Sequence, residues 1–283
     1  MIKKGLVLLI ILSVSSTHAQ MSDMSSDRPG STYSTSALIR GDFQLQAGFA
    51  YLFTSMANDP TLFLEKNSHL LPLSLNLRFG FSDKMELEFA VPQQFAFVTS
   101  SAENAEPSKL NYLIGLGLFS RFALIRENES GWSMGARFGF QYDSFKTSGI
   151  TANVDLTAQK NFKSGFGLSS TLSYFQLFQT ELNPNSQWLQ YALNGNYGIT
   201  KALRLYADLL NTIDLDKNGA GEVFGLSNYG ITLGAQYFLN KDLALDAGFG
   251  FGQSMGSSLD SEFNLYHKKT DAFLASAGVS YRF

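Results

Sequence analysis

The stretch that decides the fold is the end of the chain, Ala275-Ser276-Ala277-Gly278-Val279-Ser280-Tyr281-Arg282-Phe283. Ala, Val, Tyr and Phe occupy the odd positions, while Ser, Gly and Arg occupy the even ones, so an extended strand would have two different faces. Segments of about a dozen residues with the same alternation recur back to Gly41. Repeated period-two segments with aromatic ends are typical of a transmembrane β-barrel.

The alternation predicts an all-β, antiparallel up-and-down barrel of about twelve strands. Their connections alternate between short turns and longer loops, with 146–149 the one short member of the longer set. Short turns are typical of the periplasmic end and longer loops of the outer end, so both termini are expected to be periplasmic. The predicted strands are 41–54, 70–81, 84–98, 110–125, 131–145, 150–161, 165–178, 188–199, 202–213, 227–239, 242–254 and 271–283.

Charged residues set the register of the predicted strands. A charged side chain that faces lipid at mid-membrane costs about 2–4 kcal/mol, so the charged positions must face the lumen. These side chains either line a pore and set its ion preference, or form salt bridges that fill the barrel. A twelve-stranded barrel is wider than those that side chains alone can fill, which favours a pore lining. The predicted lining residues are Arg78, Glu86, Glu88, Arg121, Arg137, Asp143, Asp155, Arg204, Asp208, Asp246 and Arg282.

The amino-terminal residues divide the chain into three parts. Residues 1–19 are typical of a secretory signal peptide, with two lysines, an apolar run of about ten residues and a small-residue cleavage site. Residues 20–40 form a polar periplasmic segment, which is either a plug or a disordered leader. The barrel is expected over 41–283, and no apolar run is long enough for a transmembrane helix.

The composition excludes several classes of protein. The chain has 25 Phe, 12 Tyr, 25 Gly and no Cys, so no disulfide framework is available. A formal net charge of −3 argues against nucleic acid as a partner, since that requires a basic face. A soluble β-sandwich can show similar alternation, but it does not account for the signal peptide, the terminal Phe and the alternation of turn lengths together.

The residues before and within the first strand carry a family resemblance. The chain reads Asp27-Arg28-Pro29, then Ser34-Thr35-Ser36, and then a first strand that contains Gln44, Leu45 and Gly48. This pattern resembles the opening of the outer-membrane family labelled meta-pathway of phenol degradation, although Gln46 stands where Glu is usual. The resemblance implies an outer-membrane channel or transporter for small molecules, including small aromatic or hydrophobic compounds. Phe283 resembles the terminal signal that the barrel-assembly machinery recognises.

Two weaker motifs point to a metal site and to an enzyme, and neither interpretation is favoured. Asp214, Asp216 and Asn218 match the start of a calcium loop, but Gly225 stands where the loop needs Glu, so a plain turn is favoured and no metal is expected. An outer-membrane lipid hydrolase would need a His beside a nucleophile, and His69 and His267 lie in predicted outer loops without such a motif.

The favoured function is therefore non-enzymatic, passive diffusion of small molecules without a cofactor. The alternative is a non-transporting structural or surface-interaction barrel, and the remote alternative is an outer-membrane lipid hydrolase. Outer-membrane lipid is the expected surrounding, and lipopolysaccharide is an expected contact of Lys268 and Lys269.

Overall fold

The structure is a computed structural model, and it describes most of the predicted barrel. The predicted signal peptide and most of the polar segment after it lie outside the described residues. The described residues are 35, 37–57, 66–100, 110–127, 131–143, 149–179, 186–215, 227–259 and 265–283.

The described residues form strands connected in simple sequence order, and the count matches the prediction of about twelve. Each strand spans 12 to 18 residues, which exceeds the length of about 9–11 residues that crosses the hydrocarbon core. The strands are β1 (Phe43–Ala57), β2 (Lys66–Ser82), β3 (Met85–Ser100), β4 (Leu110–Ile125), β5 (Trp132–Asp143), β6 (Gly149–Asn161), β7 (Phe166–Gln179), β8 (Ser186–Gly198), β9 (Leu203–Asp214), β10 (Ser227–Phe238), β11 (Leu243–Leu259) and β12 (Leu265–Arg282).

The sheet closes on itself, so the soluble sandwich alternative is excluded. Every strand pairs with its sequence neighbours, and β1 pairs with β12 in antiparallel register, for example Phe49 opposite Ala277. The backbone N–H of Phe283 donates to the carbonyl of Phe43 at 2.8 Å, which ties the end of the chain to the start of the barrel. The end of the chain and the start of β1 therefore lie together at the short-turn end of the barrel.

The barrel is apolar outside and mainly polar inside, as the alternation predicted. Large outward side chains such as Leu118, Leu233 and Phe249 are about three-fifths exposed, at 61%, 60% and 62%. The largest fully buried side chains are polar or charged, including Arg78 and Arg121. No helix in the described part of the chain is long and apolar enough to cross a bilayer.

The strands extend further than predicted at the long-loop end. Residues 255–270 were predicted to be a loop, but β11 and β12 remain paired as far as Leu259 opposite Leu265. The prediction of a loop over 55–69 was also wrong in part, because β1 and β2 pair as far as Met56 opposite Lys66. Backbone pairing can continue beyond the hydrocarbon region without an apolar face. The alternation in the sequence therefore ends before the pairing of the strands does.

Candidate functional site in the barrel lumen

A chain of alternating charges crosses five neighbouring strands on the inner face of the barrel. Arg78 on β2 binds Glu86 on β3 through both ends of its fork, with Nε–Oε1 at 2.7 Å and Nη2–Oε2 at 2.8 Å. Arg121 on β4 contacts the same carboxylate, with Nε–Oε1 at 3.2 Å. At the far end Arg137 on β5 reaches Asp155 on β6, with Nη1–Oδ2 at 3.0 Å. These residues, with Glu88, are called the ion-pair chain below.

Glu88 is the shared carboxylate at the centre of the ion-pair chain. Arg121 and Arg137 lie directly opposite each other on β4 and β5, an arrangement in which like charges repel. The Glu88 carboxylate lies against both guanidinium groups, with Arg121 Nη2 at 3.0 Å and Arg137 Nε at 3.2 Å from its Oε2. One carboxylate thereby compensates the repulsion of two neighbouring cations.

The ion-pair chain is closed to solvent. Its six side chains are between 0% and 7% exposed, and its three guanidinium groups balance its three carboxylates. Burial of this completeness means that other groups of the protein cover these side chains on the lumen side. The pore-lining role predicted for these residues therefore requires the lumen to rearrange here.

Phe119 is an inward aromatic that the sequence analysis missed. Its ring is 4% exposed and lies 3.6 Å from the guanidinium carbon of Arg137. The space for the ring comes from Gly117 on the same strand and Gly139 on β5, where an added Cβ would overlap the Phe119 ring. The stacked ring covers one face of Arg137 and further narrows the lumen.

The residues just before β1 run inside the barrel against the ion-pair chain. The backbone N–H of Leu38 donates to Glu86 Oε2 at 2.8 Å, and Leu38 is 3% exposed. Thr35 Oγ1 lies 2.7 Å from Ser133 Oγ on β5, which also carries Arg137 of the ion-pair chain. At Gly80 an added Cβ would overlap the Ile39 carbonyl, so this glycine makes room for the segment. Residues 35 and 37–42 are called the inner segment below.

A second polar cluster lies on the opposite wall of the lumen. Asp208 on β9 accepts a hydrogen bond from Asn194 Nδ2 at 2.9 Å, and Asp246 on β11 lies opposite Gln236. Both carboxylates are buried, at 2% and 6% exposed. Arg204 Nη1 lies 3.4 Å from Gln236 Oε1. These predicted inward residues therefore do face inward, but they form a cluster separate from the ion-pair chain.

Tyr206 fills the lumen beside this second cluster. The ring is 5% exposed, and its hydroxyl donates to the Ala247 carbonyl at 3.3 Å. Cβ atoms added at Gly234 or Gly248 would overlap the Tyr206 hydroxyl, so these glycines on β10 and β11 accommodate the ring. As with Phe119, the sequence signal is an aromatic at an inward position opposite glycines, and it is readable only once the register is known.

The remaining predicted residues lie at the barrel ends or outside the described chain. Arg282 binds Asp242 in a short turn, with Nη2–Oδ1 at 3.1 Å, and Asp143 is the last residue of β5. Within the family motif, Gln44 on β1 is buried and accepts a hydrogen bond from Arg78 Nη1 at 3.2 Å. Leu45 and Gly48 also lie in β1. Asp27, Arg28, Pro29, Asp216 and Asn218 lie outside the described residues, and Asp214 ends β9.

The histidines and lysines that were placed in outer loops lie in strands instead. His69 is in β2, where its Nδ1 lies 2.6 Å from the Tyr51 hydroxyl on the outer face. His267, Lys268 and Lys269 are in β12. The described residues contain no group of three or more His, Cys, Asp or Glu that could hold a metal ion. The lipopolysaccharide contact stays a prediction.

A cavity of about 350 Å³ lies on the long-loop side of the ion-pair chain. Ala50, Pro72, Pro92 and Gly115 line it from four neighbouring strands, and Gln94 adds an amide. On β3, Pro92 stands two inward positions beyond Glu88, so the cavity and the ion-pair chain are neighbours in the lumen.

Comparison with known proteins supports the fold but identifies no family. No protein-family model matches the chain, and no curated protein matches it. Among solved structures it is similar to the COG4313 outer membrane channel from Pseudomonas putida F1, with 13% identity over 91% of this chain and 100% of that chain and a TM-score of 0.65. The transport unit of the autotransporter AIDA-I from Escherichia coli has 10% identity over 97% of both chains and a TM-score of 0.58.

A third similar structure is the P. putida toluene transporter TodX, with 10% identity over 96% of this chain and 94% of that chain and a TM-score of 0.50. At such identities the likeness establishes the fold alone. The chain is a closed, twelve-stranded antiparallel β-barrel of the outer-membrane type. The resemblance to the phenol-degradation family stays a prediction.

Proposed function

We propose that the protein is an outer-membrane channel that passes small molecules, including small aromatic or hydrophobic compounds, by passive diffusion through the barrel. The observation that carries this proposal is the two-faced wall: an apolar outer surface for lipid surrounds a lumen with polar side chains and a cavity of about 350 Å³. The similarity to the COG4313 outer membrane channel supports the same function.

The inner segment serves as the plug of this channel. It runs inside the barrel along the ion-pair chain, with Leu38 bound to Glu86 and Thr35 bound to Ser133. Separate hydrogen bonds, among them Gly41 to Gly80, hold it to the wall instead of a continuous ladder, so its release costs less than opening the strand ladders. With the segment displaced, the charged residues become the lining that the sequence predicts, and they then influence ion preference.

Conductance of the protein purified from outer membranes tests this function. Single-channel recording in a planar bilayer under a salt gradient is expected to show small or infrequent steps for the full chain. A variant that lacks residues 20–40 is expected to give larger steps. Equal conductance in the two forms would remove the plug role, and recovery of the chain outside the outer membrane would contradict the location.

Passage of an apolar solute needs a separate assay, because conductance measures the passage of ions only. Cells that produce the protein should take up the fluorescent probe N-phenyl-1-naphthylamine faster than cells that produce none. If the folded protein neither conducts nor speeds this uptake, with or without residues 20–40, the channel proposal fails.

A non-transporting structural barrel is the second candidate, and one observation favours it. The ion-pair chain, Phe119 and Tyr206 fill much of the inner space with buried side chains. A barrel that only needed to be stable could be filled in this way. The deletion of residues 20–40 separates the two candidates, since a merely filled barrel stays closed without them.

A further inference from the structure

Two prolines lie in the middle of neighbouring strands in a barrel that has no sheet edge. Pro72 is in β2 and Pro92 is in β3, and the β2–β3 ladder between them places Pro72 opposite Gln94 and Ser74 opposite Pro92. Proline cannot donate to a ladder, and within sheets it is normally confined to edges, first positions or bulges. Their place in a closed wall therefore requires a local explanation.

The prolines coincide with interruptions of the strand ladders on both sides of the β2–β3 pair. Between β1 and β2 the register runs to Phe49 opposite Leu73 and resumes at Leu52 opposite Leu70, which leaves out Ala50 and Tyr51 on β1 and Leu71 and Pro72 on β2. Between β3 and β4 it runs to Ala90 opposite Gly117 and resumes at Gln93 opposite Ile114. That second gap leaves out Val91 and Pro92 on β3 and Gly115 and Leu116 on β4.

Both interruptions border the same cavity. Of the residues left out of the two ladders, the four that face inward line the space of about 350 Å³, and these are Ala50, Pro72, Pro92 and Gly115. Because proline has no N–H, the carbonyls of Ala50 and Gly115 lack the donors that an unbroken ladder would supply. A hydrogen-bond donor in the cavity can take the place of those missing donors.

The cavity has the size and chemistry of a site for a small uncharged ligand. An apolar cavity of roughly 150 Å³ can hold benzene, and small-molecule sites begin at roughly 300 Å³. Proline and alanine supply apolar surface, while Gln94 and Ser276 supply polar groups. None of the residues that line the cavity is charged, although charged residues are frequent elsewhere on the inner face.

We propose that this cavity between Pro72 and Pro92 is a binding site for a small uncharged molecule with an apolar body and one hydrogen-bonding group. The apolar body packs against the two prolines and Ala50, and the polar group pairs with Gln94 or with the backbone carbonyl of Ala50 or Gly115. The inference deepens the proposed channel function, on which its biological meaning rests. A solute that enters from the long-loop end reaches this site before the ion-pair chain.

Binding of 4-fluorophenol to the folded barrel in lipid nanodiscs tests the site. The measurement is the ¹⁹F line width of the ligand, with empty nanodiscs subtracted to remove partition into lipid. The expected result is saturable broadening that depends on the protein. The anion 4-fluorobenzenesulfonate should give none, because nothing in the cavity lining compensates its charge.

Two alanine-to-phenylalanine variants on β1 make a matched pair. Ala50→Phe fills the cavity, whereas Ala47→Phe places the same side chain on the lipid face of the same strand. Ala50→Phe should weaken binding roughly tenfold or more, because the ligand loses its volume, while Ala47→Phe should bind as the native chain does. Gln94→Leu should weaken binding about fivefold, which is the worth of one hydrogen bond.

Control measurements separate the site from the channel function. Folding of each variant is checked by its heat-dependent migration on a gel, and Ser276→Leu replaces Ala50→Phe if the latter does not fold. Equal binding by folded Ala50→Phe and Ala47→Phe, or equal binding of phenol and sulfonate, would overturn the site. Binding without conductance would support the binding site and contradict the channel function. Conductance without binding would support the channel function and contradict the binding site.

Discussion

Replacement of Glu88 by glutamine tests whether one shared carboxylate holds the ion-pair chain together. The substitution keeps the shape of the side chain and removes its charge. Arg121 and Arg137, which lie opposite each other on neighbouring strands, then lose the anion between them. Each retains one other acid, Glu86 for Arg121 and Asp155 for Arg137.

The expected loss of stability follows from the burial of these groups. Removal of one partner from a buried ion pair costs about 3–5 kcal/mol, because it leaves a charge buried and uncompensated. Since both arginines keep a second acid, the lower end applies, and Glu88→Gln should destabilise the barrel by about 3 kcal/mol. That is roughly a hundredfold change in the unfolding equilibrium.

Urea unfolding in lipid vesicles, followed by tryptophan fluorescence, measures this loss. Glu127→Gln is the matched control, because Glu127 is exposed and accepts one hydrogen bond from Asn161 Nδ2 at 2.9 Å. The control should change stability by about 0.5 kcal/mol or less. The double variant with Arg137→Gln should lose less than the sum of the single variants, because the second change removes one of the two cations that Glu88 compensated. If Glu88→Gln and Glu127→Gln lose equal amounts, Glu88 does not hold the two arginines together.

Three further predictions concern the lumen and the wall. Tyr206→Ala removes the ring above Gly234 and Gly248, so it should raise single-channel conductance and cost about 3 kcal/mol in urea unfolding; unchanged conductance would show that the ring does not restrict passage. Gly80→Val should displace the inner segment and raise conductance as deletion of 20–40 does, and a native conductance would contradict the packing at Ile39. Pro72→Thr restores an N–H opposite Ala50, and it should stabilise the barrel by about 1 kcal/mol and slow exchange of the new amide. Fast exchange of that amide would show that it forms no backbone hydrogen bond with Ala50.

The alternation of side chains was enough to predict the strands and which face of each strand is apolar. Leu71 and Leu77 face outward while Arg78 is buried inside, as the period of two requires. The strand ends were less well predicted at the long-loop end, where Leu259 pairs with Leu265. The residues near that end mix apolar and polar side chains without a regular period of two, so the pattern does not distinguish a paired strand from a loop.

The partners inside the lumen could not be predicted from the sequence alone. Alternation places Glu88 inside, but it does not say that Glu88 meets Arg137, which lies 49 residues later in the chain. That contact depends on the stagger between neighbouring strands, which a single strand does not encode. Phe119 and Tyr206 were missed because aromatic residues were expected to face lipid. The prolines in β2 and β3 were a local signal, since proline is rare inside a paired strand.

The polarity of the filled lumen has a consequence beyond stability. Buried ion pairs are often no more stabilising than apolar groups of the same volume, so filling alone does not require charge. An apolar filling would, however, make the two faces of each strand alike and leave the register poorly specified. A slip of one residue in β2 to β6 would turn the whole ion-pair chain toward lipid, at about 2–4 kcal/mol for each basic residue at mid-membrane. The ion-pair chain therefore fixes which face of five strands meets the membrane.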